Sequence, residues 1–507
     1  MGPIFEKAKG LPVTAHASFG FDGAQQRAYN GPSYFAKGDD VGNIIYGGLS
    51  LSTITLNDGS DTLLYKVPNM ASVENERPVL LINGKETEVN VKQIMDIFED
   101  EYDIAKKEPF VIHHDGKSLE VWFHLSFSQL DGKVTKIIQG RLGSFCLLCS
   151  ATRNEAHDIK MIKNGFAMDL STEIINETYD ALKEKISEDN TDGKEYFMID
   201  RMIPNEIRIG LTQEPLATEI PIASYLPPLH CKLRAFNWIL DIILRFDSGK
   251  TQWYARIEGA TEAYALSKAR FTEFSEEVLG THIFSITGDT GNIVESFFAY
   301  ETRNKVFNMM AEIKKPTSRD RSQRMEYKLK VEQKEHFIKV WSDVMQRIWI
   351  IIRIINSDLL VLVEDFEDYC TDTMILIRTE LPWVQFSPTV HEFLSHSPQI
   401  IKDNGSRGLL NHSEQGSEAA HKLVRYLRER GARKISLEAN LQDVFMKLWI
   451  ITNPAVRCYN RTQTCSYCLM DGHNVRSCPK RESTTKKPKS PDDLILESLT
   501  CKEDELD

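Results

Sequence analysis

The residues in this chain that could do chemistry together are acids, thiols and imidazoles held far apart in sequence. Asp22 closes an alternating segment, TAHASFGFDG, and Asp131 follows a second one, SLEVWFHLSFSQL. Glu418 stands early in SEQGSEAAHKLVR, a segment with helical spacing. Carboxylates at strand ends and at a helix start can converge on hard divalent cations. Two such ions about 3.5–4 Å apart stabilise the attacking and leaving oxygens of phosphoryl transfer. The blander alternative is that each acid caps a turn or a helix, since the chain has 73 acidic residues.

A second set suits zinc. Cys146 and Cys149 form a C-x-x-C pair, half of a tetrahedral site, and His391 and His396 in HEFLSHSPQII supply two imidazoles at H-x4-H spacing. Bound together they would clamp the end of the Asp131 segment to the stretch before Glu418; otherwise the thiols are core and the imidazoles lie on a helix surface. The tail holds a third set. Cys465, Cys468, His473 and Cys478 match the CCHC zinc-knuckle pattern, flanked by Arg461, Arg476, Lys480 and Arg481. Such a module folds around one Zn²⁺ and commonly contacts nucleic acid; a structural or protein-binding role is the alternative.

The elements that would position these groups follow from periodicity. Short β-rich runs at 14–22, 47–56, 62–67 and 78–84 precede a helical stripe over 91–107, and the strand 118–130 precedes Asp131 and a short helix. Strands, a helix and another strand, with acids ending the first and the last, is the ordering of an RNase H-like α/β core. From Ala151 to about Asn411 the pattern turns mostly helical, and a final helix pair covers 417–434 and 441–452. The expected organisation is therefore an α/β core over 1–143 carrying the first two acids and a mainly helical, zinc-binding insertion over 144–411. The helix with the third acid and the C-terminal helices follow over 412–456, and a flexible tail with the knuckle over 457–507.

Composition sets bounds. The 507 residues suffice for several domains. A net charge of −12 means that nucleic-acid binding would need local basic faces, such as RYLRERGAR over 425–433 or KKPK over 486–489. Nine cysteines, five of them in metal-type spacings with histidines, fit a reducing compartment better than a disulfide scaffold. The apolar run 348–363 is broken by Arg353, Asn356 and Asp358, so it reads as a buried helix and no membrane is expected. The sequence shows no secretory signal. GDTGN over 288–292 lacks the ending of a phosphate-binding loop, and His113 and His114 precede a DG turn.

Several segments together carry a resemblance. FGFDG, SQLDGKV with FCLLCSATRNEA, LHCKLR, HEFLSHSPQIIKDNGS and HSEQGSEAAHKLVR look like the catalytic core of Transib DNA transposases and of the related catalytic subunit of the V(D)J recombinase, in the same order from about Ala17 to Trp449. The resemblance implies a DDE site in which Asp22, Asp131 and Glu418 hold two Mg²⁺ or Mn²⁺ ions, with Cys146, Cys149, His391 and His396 on structural Zn²⁺. It implies nicking at transposon ends, hairpins on flanking DNA, and joining of excised 3′-ends to target DNA. Its partners would be double-stranded DNA with terminal inverted repeats and a second copy of the chain, in the nucleus. Glu414 lies four residues before Glu418; Glu418 aligns through AAHKLVR. Family members carry a DNA-binding and dimerisation segment ahead of the first acid, and 21 residues precede Asp22 here. The alternative is a domesticated, non-catalytic DNA- or RNA-binding protein that keeps the fold and the zinc sites.

Overall fold

The structure is a computed structural model. It describes residues 2–25, 43–60, 62–67, 72–127, 130, 132–141, 146–149, 151–168, 172–188, 210–211, 213–216, 226–248, 260–280, 290–311, 321–412, 415–453, 456 and 490–501. The chain divides into two compact units.

The first unit is built on a mixed sheet. Its strands are β1 (Val13–Gln25), β2 (Asn43–Leu56), β3 (Leu63–Lys66), β4 (Glu76–Asn83), β5 (Phe110–His114) and β6 (Lys117–Phe127). The order is β3-β2-β1-β6-β5, with β4 also paired to β2. β1 runs antiparallel to β2 and parallel to β6. The β5–β6 hairpin closes through Asp115 and Gly116, both at positive φ (49° and 74°), the backbone a two-residue hairpin turn requires and the reason for the Asp-Gly pair.

Alternation along β2 makes the layers. Ile45 packs with Phe19, Phe21 and Phe127 against α2 (Glu88–Lys107) and α3 (Gly132–Ile138). Its neighbours Ile44 and Tyr46 enter a separate cluster with Ala420, Val424 and Leu427, followed by Val444 and Leu448. Successive strand side chains point to opposite faces, so one strand serves two cores. The second core holds α13 (Gln415–Tyr426) and α14 (Leu437–Ile451) to the sheet; Ala420, Val424 and Leu427 recur at the spacing of a helix face. A short α1 (Gly2–Ala8) packs Phe5 and Ala8 near Val13 and Ala15.

The second unit is helical. It contains α4 (Ile159–Asn164), α6 (Pro228–Asp247), α7 (Ala260–Leu279), α8 (Thr290–Phe298), α9 (Tyr300–Ala311), the 35-residue α10 (Arg321–Ile355), α11 (Val363–Glu380) and α12 (Pro388–Asp403). α5 (Thr172–Glu188) belongs to the first unit. The apolar run at the end of α10 is core: Ile348, Ile350, Ile351, Ile352, Ile354 and Ile355 are all buried. Among the described residues no helix is long and apolar enough to cross a membrane.

Two boundaries differ from the sequence expectation. The insertion is not continuous, because residues 170–227 belong to the sheet unit. There Leu216 donates its N–H to the carbonyl of Ile138 at 2.8 Å and packs on the α3 core. The end of the chain, expected as flexible tail, forms α15 (Pro491–Ser498) and β8 (Thr500–Cys501), which pairs with β7 (Leu360–Val361) in the helical unit. Leu496 and Leu499 are buried on one side of it, and charge adds to them. Arg303 grips the buried carboxylate of Asp492 at 2.8 Å, Gln346 adds a bond to the same group, and Arg353 holds Asp493 at 2.9 Å.

Candidate metal centres

β1 delivers Asp22 to its C-terminal end, where Asp22 sits opposite Tyr46 of β2. The loop after β4 brings a second acid, Glu86, into hydrogen-bond range of the Asp22 carboxyl. Glu86 Oε1 accepts the N–H of Gly23 at 2.7 Å, and Lys133, in the first turn of α3, donates to its other oxygen at 3.2 Å. Gly23 leaves room for this contact, because an added Cβ would come within 2.8 Å of the Glu86 carboxyl carbon and the end of the Glu86 side chain would have to shift. Burial pushes the Glu86 carboxyl up, but its bonds with Asp22, Gly23 and Lys133 outweigh burial and hold it below its ordinary value.

α13 closes the site. Glu418 lies in its first turn, and His421, one turn on, is buried. The imidazole hydrogen-bonds the main chain of Asp22 and faces the charges of Glu418 and Glu86. Burial nevertheless dominates and lowers its basicity. Its ring packs edge-on to Tyr46 at 5.8 Å, and its buried Nε2 has no hydrogen-bond partner among the described residues. Asp22, Glu86, Glu418, Lys133 and His421 thus share one end of the sheet. Asp131 and Glu414 lie outside the described residues; the flanks of Asp131 are described, with Leu130 buried and Lys133 bonded to Glu86.

Among the described residues the group placed to hold a metal ion is the cysteine–histidine set below, and the acids at this end of the sheet form a carboxylate cluster. Two carboxyls in hydrogen-bond contact repel when both are ionised, and they need a shared proton or a cation to stay together. Glu86 escaped the sequence reading because it follows a strand by three residues in a stretch, NGKETE, that reads as turn and helix cap. Thr87 does cap α2, accepting the N–H of Asn90. Gly23 and Lys133, small and basic beside the two aspartates, were the available clues.

The thiol and imidazole set is a separate centre. One ligand atom from each of Cys146, Cys149, His391 and His396 lies within 4.8 Å of the others, and all four residues are buried. Cys149 Sγ and His391 Nε2 are 3.5 Å apart. Zinc bonds of about 2.3 Å to sulfur and 2.0–2.1 Å to nitrogen at a tetrahedral angle put those atoms about 3.6 Å apart. Arg141, itself buried, donates to the carbonyls of Cys146 and Leu147 at 3.0 and 2.9 Å and fixes the turn that carries the thiols.

α12 carries both histidines, capped by Ser387 with Pro388 at its start. On a regular helix positions five apart diverge by about 140°. The two rings still lie 5.4 Å apart between centroids, in a helix containing Pro398. Ser395 Oγ stands 3.2 Å from His391 Nδ1, which orients the ring with Nε2 toward Cys149. Burial, with His396 and His157 nearby, lowers the His391 pKa to about 3, so the imidazole is neutral and able to donate its lone pair.

The knuckle residues Cys465, Cys468, His473 and Cys478, and the KKPK run, lie outside the described residues. The basic stretch 425–433 is in part spent within the fold. Arg428 is buried and bonds Asn440, and Arg433 makes a two-pronged pair with Asp443. No protein-family model matches the chain, and no curated protein matches it.

Proposed function

We propose that the chain is a DDE-type DNA transposase with an RNase H-like core, related to the Transib transposases, and that Asp22, Asp131 and Glu418 are its catalytic acids with Glu86 as a fourth carboxylate. The observation that carries the reading is the meeting of Asp22 and Glu86 beside the Glu418–His421 turn of α13, drawn from three distant parts of the sequence. A run of antiparallel strands followed by a strand parallel to the first supports the RNase H-like assignment. The edge position departs from a simple repeat of that plan, since β5 joins β6 as an antiparallel hairpin.

Bound at these carboxylates, two divalent cations supply charge that stabilises the attacking and leaving oxygens of a phosphodiester. The chain's own groups do the placing. Gly23 lets Glu86 approach Asp22, Lys133 offsets part of the acids' charge, and His421 ties α13 to the end of β1. In this reading water opens a phosphodiester at the transposon end, and the freed 3′-hydroxyl attacks the opposite strand to leave a hairpin on the flanking DNA. The excised 3′-ends then attack target DNA. Double-stranded DNA, a paired second copy of the chain, Zn²⁺ at the cysteine–histidine centre and the knuckle, and a nuclear location belong to the same proposal.

The test is a nicking and strand-transfer assay on DNA carrying the element's terminal repeats, with Mg²⁺ or Mn²⁺. Asp22→Ala, Asp131→Ala and Glu418→Ala should each abolish nicking while DNA binding persists. Equal nicking by the three variants and the parent chain would reject the assignment. A parent chain that binds DNA but never cuts it would favour a non-catalytic DNA-binding protein.

A further inference from the structure

Glu76 opens β4 and is 0% exposed. Its carboxyl lies over Gly48 of β2, where any side chain would overlap Oε1. Ser417 Oγ donates to Oε1 at 2.8 Å, joining residues 341 positions apart. Oε2 makes no hydrogen bond among the described residues, although Tyr46 stands beside it. Ser417 immediately precedes Glu418 in the first turn of α13. A buried acid answered only by the neutral hydroxyls of Ser417 and Tyr46 is an expensive way to fill a core position, so the bonds it makes need an explanation.

We propose that Glu76 is a positioning residue for the carboxylate site: its buried carboxyl, seated on Gly48 and hydrogen-bonded by Ser417, fastens the first turn of α13 to the sheet and so sets where Glu418 stands. The proposal rests on the nuclease reading for its consequence, but the fastening itself can be measured without DNA.

The surroundings make the fastening sensitive to pH. Tyr46 faces Glu76 from β2, Ser417 faces it from α13, and His421 lies beyond the Tyr46 ring. Arg77, next along β4, turns instead to the Trp449 carbonyl in the last turn of α14 and to Thr452 just after it, and Glu74 in the preceding turn is exposed. Burial raises the Glu76 carboxyl to about 7 against the opposing hydrogen bonds. Burial disfavours the carboxylate while the Ser417 and Tyr46 hydroxyls favour it, and the balance lies with burial, so rising pH favours openings of α13 that hydrate the group.

The experiment is amide hydrogen exchange over Gln415–Tyr426 in the full chain, for the parent, Glu76→Gln, Glu76→Ala and Ser417→Ala, at pH 6 and pH 8. Metal-dependent nicking is measured in parallel. The ratio of parent to Glu76→Gln exchange should rise roughly tenfold from pH 6 to pH 8, the part of the window between 4.5 and about 7 that remains above pH 6. Glu76→Ala and Ser417→Ala should be fast at both. Nicking should follow, with Glu76→Gln keeping its activity at pH 8 where the parent declines. Equal exchange of Glu76→Gln and Glu76→Ala at pH 6, or a parent-to-Gln ratio unchanged between the two pH values, overturns the proposal. If Glu76→Ala does not fold, Ser417→Ala carries the same comparison. Exchange as expected in a chain that cuts no DNA would reject the nuclease reading and leave the fastening intact.

Discussion

Replacing Cys149 by serine separates a zinc centre from a cluster of core side chains. The thiol sits 3.5 Å from His391 Nε2 in a set of four buried ligands, so a metal bound there has no water ligand to spare. With free zinc at a hundredfold excess over its dissociation constant, binding adds about 2.7 kcal/mol to the folded state. In a folding unit of a couple of hundred residues, 1 kcal/mol moves the melting temperature by about 2–4 °C. Chelation should therefore lower the parent's melting temperature by roughly 5–10 °C. Cys149→Ser should begin near the lowered value and not respond to chelator. Metal analysis supplies the count: two zinc ions per chain for the parent, one for Cys149→Ser, and one for Cys468→Ser in the tail. His391→Cys, which offers another zinc ligand, should recover part of the loss. If the thiols were only core, serine would cost a buried hydroxyl, about 1–3 kcal/mol, regardless of chelator. A parent with at most the tail's zinc, or a Cys149→Ser protein with the parent's count, refutes the centre.

Other perturbations test other joints. Gly23→Ala should push Glu86 away from Asp22 and cut nicking by at least the roughly 10²-fold attached to a 1 Å misplacement, with DNA affinity unchanged in a binding assay. Glu86→Gln should lose nicking with Asp22→Ala, and the two together should lose little more, because groups acting as a unit are not additive. Asp492→Ala leaves Arg303 buried without its partner and should cost about 3–5 kcal/mol, read as an earlier urea transition of the helical unit. Glu76 gives a pH dependence of stability. Its contribution is fully present below the unfolded value of 4.5 and lost as pH rises through about 7. A urea titration at pH 5 and pH 8 should show about 3 kcal/mol lost across that window, and Glu76→Gln should flatten it.

What the sequence disclosed was periodicity and local spacing. β1 and β6 alternate strongly enough to be read directly, and the C-x-x-C and H-x4-H pairs met as their spacing suggested. The β5 strand was missed because Phe110–His114 exposes or half-exposes every residue and so lacks a buried face to mark it. Glu86 and Glu76 were missed for a different reason. Each acquires its meaning from a residue hundreds of positions away or on another strand, and nothing in NGKETE or VENERP distinguishes them from solvated acids. The tail helix was missed because it is short, with only Leu496 and Leu499 as buried apolar residues, and its remaining anchors are the distant Arg303 and Arg353.

The electrostatics of the Asp22 site are hard to explain as scaffolding. A structural acid in a fold of this size is typically answered by a base, as Asp492 is by Arg303 and Asp443 by Arg433. At the end of β1 the pattern is different. Two carboxyls touch each other, a third faces the same buried imidazole, and Lys133 contributes one positive charge from a half-exposed position. A backbone shaped around that arrangement, with a glycine where the acids meet and a strand, a loop and a helix converging on it, concentrates negative charge that folding alone would disperse. A divalent cation turns that cost into binding energy. Replacing Glu86 by glutamine therefore discriminates between the two accounts by metal response: in metal-free buffer it should cost only the bonds of the carboxylate to Gly23 and Lys133, while with Mg²⁺ present it should in addition remove metal-dependent stabilisation. A variant that destabilises equally in both conditions would mark Glu86 as scaffold and remove the strongest support for a metal at this site.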